Sequence, residues 1–191
     1  MKTKVSLIFL FLAFLAQWLV PGRMVWIHEQ TIRLGESVKF KTASVDPFDL
    51  FRGKYVELGY RNMTIETTPQ ENWKPGEKVF VLLEKDAQGY AKAKGLSRKR
   101  PEGKLYFQTI LRSESTFKGR SNIDVDIPFS RYYADEFDAP LIEKTTLNFS
   151  DTLIYAWADV RLYQGKAVLN QLYIGELTAS DWVKKHNNEE P

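Results

Sequence analysis

"TLIYAWADVRLYQGKAVLNQLYIG", Thr152 to Gly175, decides the fold class. Ile154, Ala156, Ala158, Val160 and Leu162 recur at every second position, the period of a strand with one buried face. Gln164-Gly165 then makes a two-residue turn, and a second apolar-rich segment returns beside the first. The same period appears outward along the chain. Val38 to Lys41 alternates, and in "NIDVDIP" Ile123, Val125 and Ile127 point inward while Asp124 and Asp126 point out. Val79 to Leu83 reads as a buried strand. "DAQG", Asp86 to Gly89, is a turn, and "YAKAKG" returns with Ala91, Ala93 and Gly95 on one face. Leu105 to Arg112 adds another strand. The expectation is a mainly β domain of about eight strands, an antiparallel β-sandwich or partly open β-barrel.

The N-terminus follows a different rule. Val5 to Val20, "VSLIFLFLAFLAQWLV", is apolar on every face, interrupted only by Ser6 and Gln17. A soluble core helix keeps one polar side, so this run is an export signal or a membrane helix. With Met24 to Ile27 added, a helix tilted or kinked at Pro21 reaches across a bilayer. The segment is expected to stay as an anchor or uncleaved signal, although small residues at Val20 and Gly22 permit cleavage there. Lys2 and Lys4 should hold its start in the cytoplasm, which places the C-terminal bulk outside. The organisation expected is an anchor over 1–27, an extracytoplasmic β domain over 28–180 and a polar tail over 181–191, frayed after Trp182. The helix should continue out of the membrane and end at Gly35.

Charge and composition exclude several function classes. Lys2, Lys4 and Arg23 lie in an N-terminal stretch without acids. The rest of the chain holds equal numbers of basic and acidic residues, which argues against a nucleic-acid partner. The chain has no cysteine, so disulfides, thiolate metal sites and a cysteine nucleophile are excluded. Of its two histidines, His28 sits near the membrane and His186 in the tail, so neither a Ser-His-Asp triad nor a histidine metal site is expected. Nothing in the sequence requires a cofactor.

The most unusual segment is "SVDPFDLFRGKYVELGY", Ser44 to Tyr60. Pro47 keeps Asp46 out of the helical region, so Asp46-Pro47 starts a turn that Asp46 can cap. Gly53 allows a close backbone approach just before a strand. In that strand Val56, Leu58 and Tyr60 face one way, Tyr55 and Glu57 the other. Both sides must then be partly covered, and each tyrosine hydroxyl needs a partner.

These residues carry a resemblance. Gly53, Tyr55, Leu58 and Tyr60 match four of the five fixed positions of the GDYXXLXY family of membrane-anchored bacterial proteins. Lys54 stands where the family has Asp. The lead-in from Leu34 through Asp46, Pro47 and Arg52 is similar, as is a second block, "IPFSRYYADE", with Arg131, Tyr132, Tyr133 and Glu136. The resemblance implies a single-span protein of the bacterial inner membrane with its domain on the periplasmic side. It has no established activity. Family members are often encoded beside polytopic membrane proteins, which implies such a partner. Arg52, Arg131 and Glu136 are the charged side chains expected to converge on the motif tyrosines as a polar brace. Lys in place of Asp at position 54 argues against a catalytic carboxylate there.

One enzyme alternative remains. "SVDPFDLFRGKYVEL" loosely resembles the Ser-Met-x-Pro…Gly-Asp-x-Val segment of signal peptidases. Ser44 would be the nucleophile, with Lys92 or Lys94 as its base. The spacing to Gly53 is one residue too long, and Val45 replaces the Met. Another alternative is a small-ligand or glycan-binding envelope module built from the Tyr, Arg and Glu cluster. The basic run Lys92 to Lys104 reads as a solvated loop. The leading expectation is a non-enzymatic, anchored domain that binds or stabilises a membrane partner.

Overall fold

A computed structural model of the chain describes residues 2–43, 55–61, 63–67, 72–117, 120–135, 138–139, 141–142 and 155–187. Helix α1 (Lys2–Leu34) opens the chain and runs through Pro21 to Gly35. Twelve strands follow among the described residues. Seven are long: β1 (Glu36–Ala43), β5 (Lys78–Lys85), β6 (Ala91–Ser97), β7 (Leu105–Phe117), β8 (Arg120–Val125), β10 (Ala156–Tyr163) and β11 (Lys166–Ile174). Five are only two or three residues: β2 (Tyr55–Glu57), β3 (Gly59–Tyr60), β4 (Ile65–Thr67), β9 (Arg131–Tyr133) and β12 (Leu177–Thr178). Helix α2 (Ala179–Asn187) closes the described chain.

The strands form two five-stranded sheets and one short pair. The first sheet has the order β12-β11-β10-β1-β3, the second β4-β8-β7-β5-β6, and β2 pairs with β9. Every ladder is antiparallel, as the hairpin pattern required. The two large sheets enclose one core. Val38 and Phe40 of β1 and Ala158, Val160 and Leu162 of β10 meet Val79, Val81, Phe107, Leu111, Ile123 and Val125 from the second sheet. A second core lies on the same face of the first sheet, farther toward its edge. There Leu172 and Ile174 of β11 pack with Val56, Leu58, Ile142, Ala179 and Val183.

The hairpin forms as its pattern requires. Gln164 and Gly165 both adopt positive φ, 48° and 84°, the conformation of a tight two-residue hairpin turn. The turn docks on β7, where the Gln108 amide donates to the Gly165 carbonyl at 2.8 Å. Two expectations are corrected. Ala91 and Ala93 face the core, but the register shifts at Lys94, so Leu96 rather than Gly95 takes the next inward position. Residues 183–187 are not frayed but belong to a helix. Thr178 accepts a hydrogen bond from the Asp181 amide at 3.2 Å and donates to the Asp181 carboxylate, a helix N-cap that starts α2. Burial of Ala179 and Val183 holds that helix in the second core. The capping pair Thr178 and Asp181 was the signal in the sequence.

The last turns of α1 pack against β10 and β11, and Thr31 is fully buried there. Gly35 ends the helix at a close crossing. A Cβ at this position would overlap the Thr31 carbonyl oxygen and press on the Leu162 amide at 3.2 Å.

Candidate functional site

The tyrosine-rich strand is divided between two sheets. Residues 55–57 pair with the second block in the register Tyr55↔Tyr133, Val56↔Tyr132 and Glu57↔Arg131. The Leu58 amide then donates to the Ser130 carbonyl at 2.7 Å. One residue later the chain changes partner, and Tyr60 lies opposite Thr42 of β1. The Tyr60 hydroxyl donates to the Phe129 carbonyl at 2.7 Å. Its ring meets Phe129 edge-on at 5.0 Å and Phe40 at 5.9 Å, while Phe129 also contacts Phe107 of the opposite sheet at 5.4 Å. Burial pushes the Tyr60 phenol well above its ordinary range, so it stays a neutral donor. Segments roughly seventy residues apart in sequence are thereby tied together at consecutive points.

The match of a family model described as GDYXXLXY protein, over residues 17–172, spans both of these segments. The chain belongs to the GDYXXLXY family. No curated protein and no solved structure matches it.

The second tyrosine of the GDYXXLXY motif thus sits in the packed interior. The first lies on the other side. Tyr55 meets Tyr133 edge-on at 6.0 Å, and the Arg131 guanidinium stacks over the Tyr55 ring at 5.2 Å. Tyr133 is 71% exposed. Tyr132 turns inward against the second core, and its phenol is raised by burial, partly offset by a hydrogen bond with the Ser180 side chain. Arg131 therefore serves Tyr55, and the partner of Tyr60 is a main-chain carbonyl instead of a charged side chain. A backbone acceptor leaves no mark in residue types, which is why the sequence pointed to Arg and Glu. Ser44, Asp46, Pro47, Arg52, Gly53, Lys54 and Glu136 lie outside the described residues.

Lys92 and Lys94 both reach Glu84, at 2.9 and 2.7 Å. Their hydrogen bonds, that from Lys94 first, hold the Glu84 carboxyl down to about 2, and the bond to Glu84 raises the Lys92 ammonium. A lysine acting as general base needs the opposite shift. Much of the basic run is likewise paired. Arg98 bonds Glu77 at 2.6 Å, and Arg100 donates to the Tyr106 hydroxyl at 2.7 Å. Among the described residues, no group of three His, Asp or Glu side chains is placed to hold a metal ion.

Sequence reasoning gave no role to Phe129, Ser130 or His28. Phe129 is the hub of the aromatic cluster. Ser130 and His28 help line a pocket of ≈ 490 Å³ between α1, β11 and the second block, together with Asp126, Arg131, Tyr133 and Leu169. Within α1, Leu10 to Leu34 is long and apolar enough to cross a membrane, with mean hydropathy 1.5, and its large apolar side chains from Leu10 to Trp26 are exposed.

Proposed function

We propose that this GDYXXLXY protein is a single-span component of the bacterial inner membrane whose β domain, on the periplasmic side, binds or braces a membrane partner without catalysis. The observation that carries the reading is the pairing of an exposed apolar helix with a motif whose second tyrosine is built into the core. A helix with apolar side chains on all exposed faces needs lipid or another helix around it. A phenol held neutral by burial and bonded to a main-chain carbonyl supports a bracing role for the motif. A polytopic neighbour that packs against α1 within the bilayer fits this arrangement.

In this reading, alkaline carbonate leaves the full-length protein in the membrane pellet, and external protease degrades the domain in spheroplasts. Release by carbonate, or an intact domain shielded from protease, would reject the placement. The hydrolase alternative is tested separately. An acylating probe should leave Ser44 unlabelled; labelling that disappears in Lys92→Ala or Lys94→Ala would establish a Ser/Lys pair.

A further inference from the structure

The pocket beside His28 has a depth that the helix itself sets. From Val5 to Ile27 the helix covers about 35 Å, close to the roughly 30 Å hydrocarbon core with a slight tilt; it is polar only at Ser6, Gln17 and Arg23, and Arg23 lies near enough to the end for its guanidinium to extend to the headgroups. His28 is the next residue. It therefore stands in the headgroup layer, which is about 5–8 Å deep on each side. Trp26, exposed at the end of the run, is the residue type that favours this boundary. His28 also lines the pocket, so the pocket opens at the level of lipid phosphates.

Its chemistry suits that level. The Asp126 carboxylate is taken by Arg112 at 2.9 Å, which neutralises the pocket's acid. Arg131 is exposed, and its partner is the face of the Tyr55 ring, an arrangement that leaves the guanidinium edge donors for an anion. Ser130 and the half-buried Leu169 complete a wall that is polar in part and apolar in part. Tyr133, with most of its ring in solvent, has the amphipathic character of an interfacial anchor.

We propose that this pocket binds the phosphate of an anionic phospholipid headgroup from the surrounding leaflet, with Arg131 as the main cation and Tyr133 resting among the headgroups. The inference rests on the anchored reading above and adds a specific ligand class to it.

The test uses the full-length protein in mild detergent, exposed to phosphatidylglycerol or phosphatidylcholine, with bound lipid counted by native mass spectrometry. The protein should retain phosphatidylglycerol in preference to phosphatidylcholine by about fivefold, the contribution of one basic side chain near an anionic surface. Arg131→Gln should abolish the preference, and Lys104→Gln should keep it. Equal preference in the original protein and a folded Arg131→Gln variant would overturn the proposal. Displacement by soluble glycerol phosphate at equal concentration would also overturn it, by assigning the site to free phosphate. A second readout does not depend on that variant folding. The chain has no cysteine, so a single spin label at Tyr133→Cys reports depth cleanly in liposomes. It should lie in the headgroup layer, whereas a label at Glu102→Cys should be fully water-accessible. A water-accessible label at 133 would refute the proposal. Carbonate release would reject the anchoring itself, while membrane-retained protein without lipid preference would reject the lipid site alone.

Discussion

Tyr55 and Tyr60 come from one motif and have different surroundings. Tyr60 hydrogen-bonds the second block and joins rings from both large sheets. Tyr55 lies on a three-residue pair of strands, under Arg131 and beside an exposed tyrosine. Five residues separate them, an odd step, so the strand period alone sends them to opposite faces. The change of partner at Leu58 then packs Tyr60 against the aromatic core, while Tyr55 stands half-buried under Arg131. A shared motif is therefore no guide to a shared role. One tyrosine ties the second block to both large sheets, and the other stands half-buried between Arg131 and Tyr133.

The strongest challenge to this contrast is truncation at each end. Tyr60→Ala should destabilise the domain by about 2–5 kcal/mol, the range for removing a large packed side chain. Chemical denaturation of the full chain in detergent reads this directly. A Tyr60→Ala protein with unchanged stability would make both tyrosines surface residues and erase the distinction.

The hydroxyl alone should matter less, and pH sharpens the point. Tyr60→Phe keeps the ring but leaves the Phe129 carbonyl without its donor, at a cost of about 1–2 kcal/mol. Burial raises the folded-state phenol above its ordinary 10.0. As pH climbs past that value, the unfolded chain releases the proton first and gains stability relative to the fold. The Tyr60 contribution is thus complete below about pH 10 and lost above it. Tyr132 and Tyr90 are shifted the same way and add to the slope. Denaturation between pH 8 and pH 11 should show a steep alkaline decline that Tyr60→Phe partly flattens. An identical slope in the variant would place the titration elsewhere.

The smallest effect belongs to the outer face. Arg131→Ala removes a stacked guanidinium at an exposed site and should cost about 0.5–1 kcal/mol. A loss as large as that of Tyr60→Ala would show that the outer cluster also holds the fold together.

Much of this was legible in the sequence because burial writes a period into residue types. The hairpin at Gln164-Gly165, the inward Ile123 and Val125, and the opposite facing of the two tyrosines follow from alternation alone. The meeting of Arg131 with the motif was readable from residue type, a cation expected beside the tyrosines. What escaped reading had no side-chain signature. The bulge at Lys94 changes register without changing composition. The carbonyl of Phe129 is the same acceptor that any residue would offer there. His28 looked isolated because its neighbours, Arg131 and Leu169, come from distant parts of the chain. The α2 cap was written in Thr178 and Asp181, but the polar residues after Trp182 obscured it.

The close crossing at Gly35 has a mechanical consequence. Helix α1 enters the domain with Thr31 buried and no space for a side chain at the turn, so the joint has little freedom to swivel. The helix and the β domain then behave as one lever. Along a helix of about 50 Å, a tilt of about 10° carries the far end sideways by about 9 Å. With α1 anchored as proposed, a bilayer that thickens or thins would change helix tilt, and the domain would turn with it. In the anchored reading proposed above, the protein would register the thickness of the bilayer as an angle.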